Sequence, residues 1–412
     1  MNNYWITNVR IEKGYEKPEN TVAKTLTELV NIQIEKGRIA NVTTEAPPSE
    51  SEMIDANGAL MIPAFREMHI HIDKTYYGGP WKAVRPATNG IFTRIEEEQK
   101  VLKDQLPTVE ERAKKMLELL IQNGHTHIRT HCNIDPVVGI ENLKATVSAL
   151  KAYEDLITYE IVAFPQHGLL RSDSVELVRQ AMANGATHVG GVDPATVDRN
   201  IEKSLETVFS IAQEFDAPID IHLHDSDSLG AFQMEQIAEL TEASGNQGKV
   251  TISHALALGD LVEPRLQTVT EKLAEVGIDV TTTVPVNRPT IPIPYLWENN
   301  VPVSVGHDSI TDHWSPFGTG DSIQKLALLG ERFRISDEIG LSQLLRFATG
   351  GVTPLSPTGD LQWPKVGDDA SFLLVDATCS AEAIARRKPI RAVYGKGNIF
   401  VPKQVVEEGV HS

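Results

Sequence analysis

Ile62-Pro63-Ala64-Phe65-Arg66-Glu67-Met68-His69-Ile70-His71-Ile72-Asp73-Lys74 is the stretch on which the reading of this chain turns. It is largely apolar and carries two histidines one residue apart. On an extended strand, side chains at i and i+2 leave the same face, so His69 and His71 point together into whatever that face bounds. Two neutral imidazoles converging on one point suit a divalent metal ion. An isolated pair of this kind equally describes a solvated strand face, so the rest of the chain has to decide.

Upstream, residues 1–62 read as short strands. Tyr4–Arg10, Val30–Glu35 and Arg38–Thr43 alternate or are β-branched, with turns at Lys36-Gly37 and Asp55-Ala56-Asn57-Gly58. Downstream the rhythm changes. Strand-like runs at Met68–Ile72, His125–His131, Ile157–Ala163, His188–Val192, Ala217–Leu223, Val250–His254, Ile278–Thr283 and Val301–Gly306 alternate with amphipathic helices. The helices read as Val109–Gln122, Ile140–Tyr153, Ser174–Ala183, Ile201–Phe215, Phe232–Ala243 and Glu263–Glu275. Regular β-then-α alternation over eight strands predicts a (β/α)8 TIM barrel, with a doubly wound open sheet as the alternative. Two connections break the rhythm: Lys74 to Thr108, rich in Gly, Pro and aromatics, reads as an active-site lid loop, and the proline-rich Pro285–Trp297 replaces a helix. After Pro364, strands return at Ala370–Val375, Pro389–Tyr394 and Asn398–Val401. The expected organisation is a barrel over residues 63–364. A small β-sandwich domain is expected from the two terminal segments, 1–62 and 365–412.

Composition sets bounds. Over 412 residues, 41% apolar and 23% charged residues are ordinary for a soluble globular chain. The balance of 38 basic against 56 acidic residues gives a net charge of −18, which argues against nucleic acid or an anionic membrane as partner. The two cysteines, Cys132 and Cys379, imply neither a disulfide framework nor a cysteine zinc site. No signal peptide or long apolar span is read, so the cytoplasm is the expected compartment.

Barrel enzymes place their chemistry at the C-terminal ends of the strands. There the first strand offers His69 and His71, and the fifth is apolar until His222, His224 and Asp225. The sixth ends in His254 and the eighth in Asp308. A single histidine at a strand end is usually structural. Histidine or aspartate at the same end of four strands, beside the paired histidines, is a metal constellation.

This order resembles the metal-dependent amidohydrolase superfamily. Arg129-Thr130-His131, Val162-Ala163-Phe164-Pro165-Gln166, Gly306-His307-Asp308 and Trp314-Ser315-Pro316-Phe317-Gly318 resemble its cytosine deaminase-like branch. His69–Lys74, Gly190–Thr196 and His222-Leu223-His224-Asp225 look closer still to the N-isopropylammelide hydrolases of that branch. The resemblance implies that His69, His71, His222 and Asp308 bind one divalent ion, zinc ahead of iron, which activates a water. It makes Asp308 the acceptor of the water's proton and His254 the residue that orients the attacking oxygen. Binuclear relatives need a further bridging ligand; the fourth strand offers no lysine, and Lys74 lies too far past His71 to serve by analogy.

Asp225 stands where cytosine deaminase has a glutamate that protonates the ring, and Ser309 stands where it has a substrate-contacting aspartate. Both changes argue against cytosine itself. Asp225 is nonetheless the expected general acid. Gln166, Trp314, Ser309 and His224 are the expected substrate contacts, and His131 a supporting residue behind the ligands. The implied activity is hydrolysis of an exocyclic C–N bond, by deamination or dealkylamination, of a pyrimidine- or triazine-like heterocycle. Hydrolysis of a cyclic amide by the same site is the alternative, and a catalytically silent barrel acting as a binding module the non-enzymatic one. Members of this group often self-associate, so a homo-oligomer is allowed, although no stretch marks an interface.

Overall fold

The computed structural model describes residues 3–17 and 22–401; the part of the expected terminal domain at 402–412 lies outside them. The terminal segments supply β1 (Asn3–Glu16), β2 (Lys24–Glu35), β3 (Arg38–Thr43), β4 (Met53–Asp55) and β5 (Leu60–Pro63). The barrel strands follow: β6 (Phe65–Ile70), β7 (His125–Asn133), β8 (Thr158–Phe164), β9 (His188–Val192), β10 (Ile219–His222), β11 (Val250–Ser253), β12 (Asp279–Thr282) and β13 (Val303–Val305). The C-terminal segment adds β14 (Phe372–Val375), β15 (Ile390–Gly395) and β16 (Asn398–Phe400).

Strands β6 to β13 form one parallel eight-stranded sheet in sequence order. The sheet closes between its first and last strands: the His71 N–H donates to Asp308 O, and the Asp308 N–H to His69 O. Gly306 permits this approach, because a Cβ there would lie 2.8 Å from His69 Cβ. The closure excludes the open-sheet alternative and gives the expected (β/α)8 barrel. The terminal strands form a second sheet in the order β16-β15-β14-β5-β1-β2-β3, with β4 on β1. Its two wings meet over their own core of Ile6, Ile32, Phe372 and Tyr394, and the Ala370 N–H bonds Gly37 O where the edges approach.

Strand β10 shows how the sequence builds the barrel. Ile219 and Ile221 are buried in the main hydrophobic core, while the alternating Asp220 and His222 belong to its buried polar set. The surrounding helices match the read periodicity. In Ile201–Phe215 the residues Leu205, Val208, Phe209 and Ala212 are buried, and the Asn200 side chain caps the N-terminus.

The stretch Lys74–Thr108 departs from the expected loop. It contains a 16-residue helix, α1 (Gly90–Gln105), whose buried positions are Arg94, Ile95, Glu98 and Leu102. Two of those four are charged, so no apolar stripe announces the helix. The proline-rich stretch likewise ends in a short helix, α2 (Ile293–Glu298), with proline tolerated in its first turn.

Candidate metal centre and its supporting walls

The expected ligands come together. One ligand atom each from His69, His71, His222 and Asp308 lies within 4.8 Å of the others. Asp308 Oδ1 is 3.4 Å from His69 Nε2 and 3.3 Å from His71 Nε2. A tetrahedral ion with ligands at about 2.1 Å separates them by about 3.4 Å, so this donor set fits.

The hydrogen bonds behind the rings leave the ligating nitrogens bare. His71 Nδ1 donates to the His131 carbonyl oxygen at 3.1 Å, which leaves Nε2 as the lone pair. Ser253 Oγ donates to Asp220 Oδ1 at 2.6 Å and can therefore accept from His69 Nδ1 at 2.9 Å, again leaving Nε2 unprotonated. Among the described residues, the buried His69 Nε2, both nitrogens of His222 and His254 Nε2 have no hydrogen-bond partner. Unpaired buried polar atoms are costly, and bare nitrogens on three neighbouring rings fit a site built for a cation. Burial pushes the His71 pKa down to about 3, with Lys74 adding to the effect, so the ring is neutral, as a metal ligand has to be. Burial, then neighbouring His131, likewise lowers His222. Burial opposes ionisation of Asp308, but its close neighbours His69 and His71, and then His254, hold its pKa well below the usual carboxylate range.

The strand ends aim these groups through unusual backbone. Asp193, His254 and Asp308 have φ of 37°, 71° and 61°, in the left-handed region. Such conformations cost free energy and persist where the surroundings impose them. Asp193 then accepts from the His224 backbone N–H at 2.6 Å and faces His224 Nδ1 at 2.8 Å. Burial lowers the His224 pKa, but Asp193 more than compensates and the net shift is upward. The His224 ring lies 4.3 Å from that of His254 and keeps about a third of its side-chain surface exposed, 33%.

Asp225, the expected general acid, is buried beside the fifth barrel strand. One carboxylate oxygen accepts from Thr196 Oγ1, and the other from Gln233 Nε2 at 2.9 Å. Both bonds hold the carboxylate in place. Ser309 and Trp314 line a cavity of about 650 Å³ that also reaches Asp308. Gln166 is buried, and its Oε1 accepts from Lys74 Nζ at 2.8 Å.

Several functional neighbours escaped the sequence reading. Beneath the ligands, Arg129 bonds Glu160 at 2.6 Å and Asp220 at 3.1 Å. Asp220 is thereby already neutralised, which favours one ion over two even though it adjoins His131 and His222. Alternation along β10 was the available signal for Asp220, since it shares a face with His222. Lys74, set aside as a metal bridge, is 1% exposed and pairs with Glu98 at 3.2 Å. Glu98 had no signal, because its helix was not visible as a helix. Both cysteines are free and buried, and no helix among the described residues is long and apolar enough to cross a membrane.

Comparison with known proteins adds an independent line. The chain is 42% identical over 96% of its length to an uncharacterized protein, YahJ, of Escherichia coli K12, covering 87% of that protein. It is 29% identical over 91% of its length to N-isopropylammelide isopropyl amidohydrolase of Pseudomonas sp. strain ADP, covering 94% of it. The crystal structure of N-isopropylammelide isopropylaminohydrolase from Burkholderia multivorans superposes with a TM-score of 0.84 at 30% identity, covering 97% of this chain and 98% of that one. The sequence profile of the amidohydrolase family matches residues 52–401, which span the barrel and strands β4, β5 and β14 to β16 of the terminal sheet. With the barrel closed and the histidine–aspartate cluster at its C-terminal rim, the chain belongs to the amidohydrolase family, metal-dependent enzymes acting on C–N bonds.

Proposed function

We propose that the chain hydrolyses an exocyclic C–N bond of a pyrimidine- or triazine-like ring, releasing ammonia or an alkylamine. The observation that carries this is the convergence of bare imidazole nitrogens and the Asp308 carboxylate, with Lys74, Gln166 and Trp314 forming a polar and aromatic wall nearby. The relatives named for N-isopropylammelide support the ring class.

His69, His71, His222 and Asp308 would hold one divalent ion, with zinc ahead of iron on donor chemistry. Such an ion supplies Lewis acidity that makes water a nucleophile near neutral pH. Asp308, held ionised, takes the proton of the attacking water and passes it to the departing nitrogen. His254 hydrogen-bonds the oxygen that attacks and steadies charge developing on it. The double engagement of Asp225 favours His224 as the group that protonates the ring, with Asp193 holding its imidazole. Asp225 then shapes the loop beside it. Gln166, Ser309 and Trp314 present an amide, a hydroxyl and an indole to the heterocycle.

The test is metal content together with ammonia and amine release across cytosine, isocytosine, ammelide and N-alkylated triazines, beside Asp308→Ala. About one metal per chain and turnover lost in the variant is the expected result. Stoichiometric metal without release from any of these rings would leave the centre standing and remove the substrate class. Ring opening of a cyclic amide in its place would establish the alternative reaction.

A further inference from the structure

Glu98 is the most heavily engaged carboxylate near the site. Its Oε1 accepts from Lys74 Nζ at 3.2 Å, His313 Nε2 at 2.7 Å and Trp314 Nε1 at 2.9 Å. Its Oε2 accepts from Asn133 Nδ2 at 2.8 Å and His167 Nε2 at 3.0 Å. Those donors leave the barrel at the ends of β6, β7, β8 and β13, so a single side chain on α1 ties four strand ends together. A carboxylate offers about four lone-pair sites, and five donors leave none for proton transfer. Glu98 is 0% exposed and touches no solvent. Burial opposes its charge, but Lys74 and the histidines hold its pKa well below the ordinary value.

What Glu98 fixes faces the chemistry. Lys74 gives two of its three N–H donors to Glu98 and Gln166, which leaves one. Its ammonium lies 5.3 Å from the Trp314 ring and 5.9 Å from the Phe164 ring. Phe164 stacks on His222 with centroids 4.0 Å apart, so one aromatic ring separates Lys74 from the metal ligands.

We propose that Glu98 is a positioning residue: it fixes Lys74 and the Trp314 plane so that the remaining Lys74 N–H meets an acceptor oxygen on the bound ring. This rests on the ring-hydrolase reading and adds to it a substrate wall whose geometry is set from α1, outside the barrel. The roof over the site is then a sewn clamp, not a swinging loop.

The experiment compares metal-loaded wild type, Glu98→Gln and Glu98→Asp on the best ring of the panel, with metal per chain and thermal midpoint measured alongside. Glu98→Gln keeps the shape but loses the charge and one acceptor face. The expected result is unchanged metal content and kcat/KM lower by about 100-fold, carried mainly by KM, since small misplacement of a binding group has effects of that size. Glu98→Asp should recover part of the loss. A double variant with Lys74→Met should lose little more than either single one. A metal-replete Glu98→Gln enzyme with wild-type KM, whatever its midpoint, would overturn the proposal. If Glu98→Gln does not fold, Trp314→Phe, which removes only the indole donor, and Glu98→Asp carry the test; wild-type KM in both overturns it. If wild type turns over no ring, the functional reading fails, and calorimetry with cyanuric acid decides this one. Binding weakened in Glu98→Gln keeps Glu98 as a positioning residue, while equal behaviour of the two proteins sinks it.

Discussion

Two buried polar clusters lie side by side at the rim of this barrel, and they are finished to different degrees. Around His69, His71, His222 and Asp308, buried nitrogens have no partner and the strand ends adopt left-handed backbone. Around Glu98, the carboxylate itself is saturated by five donors from four strand ends, although Asn133 Oδ1, His167 Nδ1 and His313 Nδ1 on those donors have no hydrogen-bond partner among the described residues. Incomplete satisfaction is costly in a folded chain, so it persists where something else is to be bound. A saturated carboxylate holds its donors still. The difference separates the groups that act from the groups that aim them.

The largest expected effect tests the acting cluster. Asp308→Asn keeps the size of the side chain and tolerates the left-handed φ, yet removes the anionic ligand and proton acceptor. It should lower kcat/KM by about 10⁴-fold while the thermal midpoint of the chelator-treated protein holds or rises. A destabilised variant with residual activity would erase the contrast. Truncating the aiming cluster should do the reverse. Glu98→Ala leaves Lys74 buried without its counter-ion, and denaturant titration should show a loss of about 3–5 kcal/mol.

Acid probes histidines that are finished but not charged. Burial pushes the pKa of His125 down to about 4 from 6.5, and that of His188 down to about 4 by burial and then Arg129. Below 6.5 the unfolded chain binds protons that the folded chain refuses. Each group's stabilisation is therefore complete above pH 6.5 and falls by about 3 kcal/mol as pH drops towards 4. Unfolding of the chelator-treated protein between pH 7.5 and 4 measures this without metal release; a flat profile would contradict it. The smallest effect lies where the clusters meet the barrel floor. Ser253→Ala removes the hydroxyl between Asp220 and His69 and should weaken metal binding by about 10–100-fold in competition with a chelator.

What the sequence discloses follows the same division. The barrel was legible because its strands are apolar runs and its helices, such as Ile201–Phe215, bury an apolar stripe. The ligands were legible because histidine and aspartate recur at strand ends. Helix α1 was not, since Glu98 and Arg94 occupy positions that a periodicity argument requires to be apolar. Lys74 was visible, but its pairing with Glu98 was not, because that partner was hidden. Of the partners of Asp225, Gln233 sits on the helix that follows it directly, whereas Thr196 lies beyond β9 and meets it only because β9 pairs with β10.

The hydrogen bonds between β6 and β13 carry one more meaning. His69 stands on the strand that opens the barrel and His71 directly follows it, while Asp308 follows the strand that closes it. A metal bound by all of them works as a clasp across the seam where the circle was joined. The chain would acquire such an ion only after its last barrel strand had been made and seated, so occupancy would mark assembly as complete. Losing the ion should open that seam first, making amide exchange along Phe65–Ile70 and Val303–Val305 the earliest sign of a barrel coming undone.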